Sequence, residues 1–218
     1  MIGQHMAEPR VTTSSNALTP VDGSPQLGNM YGTGLVAAME YFVAKYGPSA
    51  AHATISRMPA PWRHLVRPNT DALGLLGAKK YPYAFVGELI RTMCSVVKKD
   101  EDTFIRELAS AGFDRTLNTV ARVLMRYLVS PSAIAQRSPE IWRLFHDSSQ
   151  LKIVQLTDTF YLSQVSQWIG HDVIVCKLGV EAGRRVVERT GVRDVEARRE
   201  KCVAWGHDVC LTRVKWAP

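Results

Sequence analysis

Apolar residues recur at helical spacing from Leu35 to Tyr46, with Leu35, Ala38, Met39, Phe42 and Val43 on one face. Gly47 supplies a stop, and Pro48 suits the first turn of a second short helix reaching about Met58. Pro59, Pro61 and Pro68 then interrupt the chain, leaving a short helical turn around Trp62, Leu65 and Val66. A longer helix is predicted from Tyr83 to Lys98, with Phe85, Leu89 and Met93 inward. Asp100 or Asp102 caps the next, which carries Phe104, Ile105 and Leu108 and stops at Gly112. Leu117, Val120, Ala121, Leu124 and Leu128 form the clearest amphipathic stripe, closed by Ser130-Pro131. Ser138-Pro139-Glu140 opens a further short helix that ends near His146.

The period then changes. From Leu151 to Val165 the chain is rich in Ile, Val, Thr, Phe and Tyr and reads as two strands joined around Thr157-Asp158. Asp172 is placed to cap a helix running to Arg189, with Gly191 as its stop. Val192 to Cys202 and Val209 to Trp216 read as two more strands. Helices through the first two-thirds followed by β-β-α-β-β predict an α+β fold, an antiparallel sheet packed against helices. Residues 1–28 are rich in Ser, Thr, Pro, Gly and Asn and show no period. They are expected to form a disordered arm ahead of a single domain over residues 29–218.

Composition narrows the class rather than the activity. Of 218 residues, 46% are hydrophobic and 22% charged, an ordinary balance for a globular chain. No apolar run approaches the ~20 residues that span a bilayer. The N-terminus lacks a basic start followed by an apolar segment, so a cytoplasmic location is expected. The net charge of +7 permits acidic partners. Yet the densest basic zone, Arg184 to Lys201, also holds Glu188, Asp194, Glu196 and Glu200. Mixed signs suit a solvated face, and nucleic acid is not an expected partner.

Three of the four cysteines gather near the C-terminus. Cys202 and Cys210 flank Trp205-Gly206-His207-Asp208, so a hairpin centred on Gly206 sets them across from each other. Cys176 lies in the first turn of the preceding helix, on the face of Val173, Val180 and Val187. Three readings stand side by side: buried small hydrophobes, a Cys202–Cys210 disulfide disfavoured in a reducing compartment, or thiolates sharing a zinc ion. Strict alternation puts Cys202 on the side of Glu196, Arg198 and Glu200. A bulge before Cys202 would return it to the side of Cys210.

Cys176, Cys202 and Cys210, with Gly206-His207 between the last two, resemble the 4-vinyl reductase domain of phenol-responsive activators and bacteriochlorophyll-biosynthesis accessory proteins. The wider chain, over roughly residues 31–216, is similar to a paralogous family expanded in myxobacteria. That likeness rests on Tyr41-Phe42, Tyr46-Gly47, Tyr81-Pro82, Ser130-Pro131-Ser132, Pro139-Glu140-Ile141-Trp142, Phe145-His146-Asp147 and Val214-Lys215-Trp216. Both groups resemble the haem-nitric-oxide-binding and TRAPP-like folds.

The resemblance implies a structural zinc on Cys176, Cys202 and Cys210, with a strand glutamate as fourth ligand. Here Tyr161 stands in that place, which leaves Asp158 or His207 to complete the site, or no metal at all. It also implies a homodimeric, stand-alone sensory module that takes a small apolar ligand or a protein partner. Tyr127, Trp142, His146, Phe104 and Met125 are the candidate ligand-binding residues. The haem-binding relatives carry a Tyr-x-Ser-x-Arg pattern. Tyr161-Leu162-Ser163-Gln164-Val165 lacks its arginine, so haem is not expected, and His146 is read as a cation at a helix C-terminus. No nucleophile-base constellation, phosphate loop or zincin-type histidine pair specifies a reaction. The alternatives to sensing are a non-catalytic scaffold dimer with a packed interior and an accessory protein of tetrapyrrole metabolism.

Overall fold

A kink opens the helical part of the molecule. Gly47 takes φ 80°, ψ 170° inside a helix running from Gly32 to Arg57, and Pro48 begins the second segment. The stop and start written in the sequence are therefore present, as two helical segments that meet at a kink. The computed structural model describes residues 28–116 and 130–217. Its elements are β1 (Asn29–Tyr31), α1 (Gly32–Arg57), β2 (Lys80–Pro82), α2 (Tyr83–Val97), α3 (Glu101–Thr116) and α4 (Pro131–Arg143). They continue with β3 (Gln150–Leu156), β4 (Phe160–Ser166), α5 (Val173–Glu188), β5 (Glu196–Lys201) and β6 (Cys210–Lys215). Single 3-10 turns, Ala60–Leu65 and Val203–Trp205, occupy two of the connections.

The fold is α+β, as the pattern predicts. A four-stranded antiparallel sheet in the order β3-β4-β6-β5 lies under the helices, and β1 pairs with β2 in a separate two-stranded ribbon. Local chemistry sets the boundaries. Asp100 accepts a hydrogen bond from the Thr103 N–H and starts α3, and Asp172 accepts from the Ile174 N–H and starts α5.

Two helix boundaries differ from the sequence reading. Ser130-Pro131 caps the following helix, Ser130 Oγ accepting from the Ala133 N–H and Pro131 taking the first helical position, so that helix begins eight residues before the predicted start at Ser138-Pro139. The helix then runs through Pro139 without a break. Gly112 does not end α3 either. It sits inside the helix, where a Cβ would lie 3.3 Å from the Gly34 carbonyl oxygen, so its role is close approach to α1. The predicted stripe Leu117–Leu128 falls outside the described residues.

The interior forms two apolar clusters. One joins α1, α2 and α3 to the N-terminal end of α5 and the cysteine end of the sheet, with Phe42, Tyr83, Phe85, Leu89 and Phe104 fully buried. The other gathers Ile134, Ala135, Tyr161, Val187, Val214 and Trp216 at the opposite end of the sheet. A cavity that borrows wall residues from both lies between them. Several basic residues of α5 and the sheet are paired locally. Arg185 and Arg189 meet Asp114, Arg213 meets Glu200, and Lys215 meets Glu196.

Candidate functional site

Two features share the space between the sheet and α5. The first is the cysteine cluster. Arg199 pairs with Thr212, but the next ladder pair is Lys201 with Leu211, so Glu200 is an extra residue in β5. This bulge reverses the side on which the following residues fall and brings Cys202 inside, 1% exposed, beside Cys210. Cys176, in the first turn of α5, points down onto both.

The three Sγ atoms are separated by 3.7, 3.7 and 3.8 Å. A tetrahedron built on Zn–S bonds of ~2.3 Å has sulfur–sulfur edges of ~3.8 Å. The three thiols are unbonded to one another and are spaced like one face of such a site. His171 stands at the fourth corner. Its Nε2 lies 3.4 Å from Cys210 Sγ and 3.6 Å from Cys202 Sγ, close to the ~3.6 Å expected between a sulfur and a nitrogen ligand. All four ligand atoms fall within 4.8 Å of one another.

Electrostatics within the cluster already favour a thiolate. The Cys176 thiol donates to Cys210, which also faces His171 and the Val203 N–H, and Cys210 is pulled down to about 4. The same contact and burial push Cys176 up, and burial raises Cys202. One anionic sulfur and two thiols able to ionise against a cation form a donor set for a soft divalent metal with no open position.

Asp158 takes no part. It lies in the turn between β3 and β4, where its carbonyl accepts from Trp216 Nε1. Cys210 pairs with Val165 at the other end of β4, roughly 20 Å of extended strand away. The strand that carries Asp158 reaches the cluster only through its far end. His207 is exposed in the connecting turn, outside the group. His171 was not singled out by the sequence reading. A histidine five residues before Cys176 and next to the Asp172 cap was the available signal, since a helix cap fixes where the preceding residue points.

The second feature is the cavity, about 540 Å³, bounded by α1, α3, α4, α5 and the sheet. Its wall is mainly aliphatic: Leu35, Leu108, Ile134, Leu151, Val175 and Val214 are typical. On α5 the lining includes Gly179, Ala182 and Gly183, whose small size leaves the space open. Voids larger than a water molecule are few in protein interiors, and ligand sites fall in this volume range.

Of the predicted ligand-binding residues, Trp142 and His146 line the cavity. Phe104 does not. It is fully buried in the helical core, edge-on to Phe42 at 6.2 Å, because its position on α3 faces α1. Tyr127 and Met125 lie outside the described residues. His146 is not the helix-end cation expected. It sits three residues past α4, bridged to Met30, stacked on Trp142 at 3.7 Å and 2.9 Å from the Tyr83 hydroxyl through Nδ1. Burial there drives its pKa down to about 3, so the imidazole is neutral. Burial also raises Tyr83 to about 12, which keeps its hydroxyl protonated.

The polar part of the wall was missed by the sequence reading. Ser163, Thr212 and Arg199 lie in one row across β4, β6 and β5, on the face that lines the cavity. The three residues are far apart in sequence, and only strand pairing aligns them.

No family model matches the chain, and no curated protein does. The likenesses to the 4-vinyl reductase domain and to the myxobacterial family therefore gain no support from these comparisons. Solved structures do match the fold. An H-NOX protein from S. oneidensis in the Fe(II)NO state superposes with a TM-score of 0.65 at 12% identity, covering 87% of this chain and 100% of that one. The Fe(II) unliganded H-NOX protein from K. algicida gives 0.61 at 11% identity, covering 87% and 97%. A structure determined to probe haem distortion in the H-NOX family gives 0.61 at 9% identity, covering 87% and 96%. These neighbours overturn the expectation of no haem, which rested on Val165 standing where the relatives' pattern has arginine: the fold matched over most of this chain is one that H-NOX proteins use. What the chain shares with them is that fold.

Proposed function

We propose that the chain is a sensory module that binds a small, largely apolar ligand in the cavity between α5 and the sheet. The cavity carries this reading: about 540 Å³ of aliphatic wall separates two core clusters that would otherwise merge. It counts against the scaffold alternative, which requires a packed interior. The H-NOX fold supports a coarse sensory role. Haem is one candidate ligand, and the wall offers groups suited to it. His146 is a neutral imidazole whose Nδ1 has a partner in Tyr83, and Arg199 is a guanidinium whose Nε has none among the described residues. Bound haem would supply an iron site for a small gas. The protein would supply a dry wall and those two polar groups.

The reading assigns the cysteine–histidine cluster a structural role. A four-ligand zinc site ties β5, β6 and the first turn of α5 to the loop before it, with no position left for substrate.

Binding is tested by titrating the protein with haem, and separately with apolar small molecules, while following absorbance, Trp142 emission and melting temperature. Ligand entry should raise the melting temperature, and further as the free ligand concentration rises above its dissociation constant. Gly183→Leu, which fills the cavity from α5, should abolish all three signals. No binding in either series, or binding unchanged by Gly183→Leu, would exclude the cavity as a ligand site.

A further inference from the structure

One end of the cavity opens to solvent. Among the described residues that line it, Thr33 at the start of α1 and Leu144 at the end of α4 are the exposed ones, and they mark the mouth. Thr33 Oγ1 donates to the Gly77 carbonyl at 3.1 Å, which holds the turn carrying Leu76 against that mouth. On the other side the Tyr31 N–H donates to the carbonyl of Phe145, which lines the cavity beside Leu144. β1 lies between the two segments, paired with Lys80 on one side and bridged to His146 on the other. Two strand spacings of ~4.8 Å therefore separate them, about 10 Å in all.

Leu76 and Leu144 are 63% and 59% exposed, the two most exposed large apolar residues among those described. A single exposed leucine is ordinary, but two that project beside one opening form a feature. Cations accompany both. Ala78, Lys79 and Lys80 follow Leu76 and are all exposed, and the exposed Arg143 precedes Leu144. The carboxylate of Asp147 is taken by Lys80 and by Asn29. Lys79 stands over the Tyr81 ring at 5.5 Å, and neither it nor Arg143 meets a carboxylate among the described residues.

We infer that this mouth is a docking surface for an anionic lipid bilayer. Leu76 and Leu144 enter the acyl layer, and Lys79, Lys80 and Arg143 meet the headgroup phosphates. Two leucines on separate turns offer too little apolar surface for a stable protein interface, which takes ~800 Å² from each partner. A bilayer needs no shaped complement: isolated apolar side chains insert, and adjacent cations hold the charged surface. The net charge of +7 adds a longer-range attraction of the same sign. A second copy fits less well, because a two-fold contact would set these cations against one another. The aliphatic cavity opens at the same surface, so an apolar ligand passes from acyl chains to cavity wall without crossing water. That link rests on the cavity being a ligand site; the docking itself does not.

The test is co-sedimentation of the full-length protein with phosphatidylcholine vesicles, either pure or containing about one-third phosphatidylglycerol. The wild type should bind the anionic vesicles about 10-fold or more tightly than the neutral ones, and less tightly as salt rises. Leu76→Ser with Leu144→Ser should weaken anionic-vesicle binding about 10-fold, and Lys79→Glu with Arg143→Glu should remove the anionic preference. Trp205→Ser, at an exposed apolar residue on the β5–β6 connection, should bind as wild type does. Absence of vesicle binding, or equal binding to both compositions, would overturn the docking and requires no variant. Binding that survives the leucine pair would reduce it to adhesion by net charge. An equal loss on Trp205→Ser would place the contact elsewhere, and either result overturns this surface. A dimer broken by the leucine pair and indifferent to vesicles would give the face to a second copy and overturn it too. Decanol titration without vesicles reports the cavity separately, so decanol binding with no vesicle binding would overturn the docking and leave the cavity reading intact.

Discussion

His171 Nε2 sits 3.4 Å from Cys210 Sγ, and this contact closes the fourth corner of the cysteine cluster. The protein purified with zinc should therefore carry about one metal per chain. His171→Ala and Cys202→Ser should each lower that content, and Asp158→Ala should not. Chelation should drop the melting temperature by on the order of 10 °C, as expected when a structural metal is lost from a chain of this length. Elemental analysis and a melting curve decide it. A metal-free wild type, or a loss on Asp158→Ala, would refute the arrangement.

His146 should make stability depend on pH. Its folded pKa of about 3 lies below the ordinary 6.5, so between those values the unfolded chain takes a proton that the folded chain refuses. Stability contributed by the neutral ring is present above pH 6.5 and is lost as pH falls towards 3. The full loss is roughly 5 kcal/mol as an upper limit. Denaturant unfolding of wild type and His146→Asn across pH 4–7.5 should diverge in slope, with the wild type the steeper. Parallel curves would show that this ring is not the titrating group.

Gly87 is where α2 meets the start of α5. A Cβ there would lie 2.3 Å from Asp172 Oδ1. Asp172 cannot yield freely, because it caps α5 and pairs with Arg91 at 2.6 Å. Gly87→Ala should cost about 1–3 kcal/mol through overpacking, despite the helix preference for alanine. Since His171 adjoins Asp172, the variant should also weaken metal retention. A stabilised Gly87→Ala protein would contradict the packing described.

Gly179 and Gly183 predict the opposite sign. A Cβ at Gly179 would stand 3.4 Å from Trp142, and one at Gly183 3.4 Å from the Tyr161 hydroxyl, both tolerable contacts on the cavity wall. Each glycine costs α5 about 1 kcal/mol relative to alanine. Gly179→Ala and Gly183→Ala should therefore raise stability by up to ~1 kcal/mol each while lowering affinity for the bound ligand. Melting curves beside a ligand titration check both halves.

Much of the scaffold was legible because it is written in nearest-neighbour terms. Gly47-Pro48, the Asp100 and Asp172 caps and the Thr157-Asp158 turn are local devices, and each stands where its chemistry puts it. Ser138-Pro139 was misread as a helix start, because a proline that suits a first helical turn can also be carried inside a helix. Local sequence carries no sign to choose between the two.

The site was legible only in part. The spacing of Cys176, Cys202 and Cys210 and the need for a bulge before Cys202 could be read from alternation alone. The fourth corner could not. Asp158 was preferred because it is near the right strand in sequence, yet the antiparallel register puts it at the wrong end. Val165, two residues after Ser163, stands where the haem-binding pattern has arginine. The sheet instead sets Arg199 beside Ser163, one strand beyond Thr212.

By itself the sequence determined where elements start, stop and turn, since capping, proline and side-chain periodicity act over a few residues. Tertiary structure alone decided which distant side chains share a wall: His171 with the three cysteines, Arg199 with Ser163, and Gly183 with Tyr161. Those neighbours are chosen by strand register and helix packing, which couple residues 20 to 50 apart through contacts that no local pattern encodes.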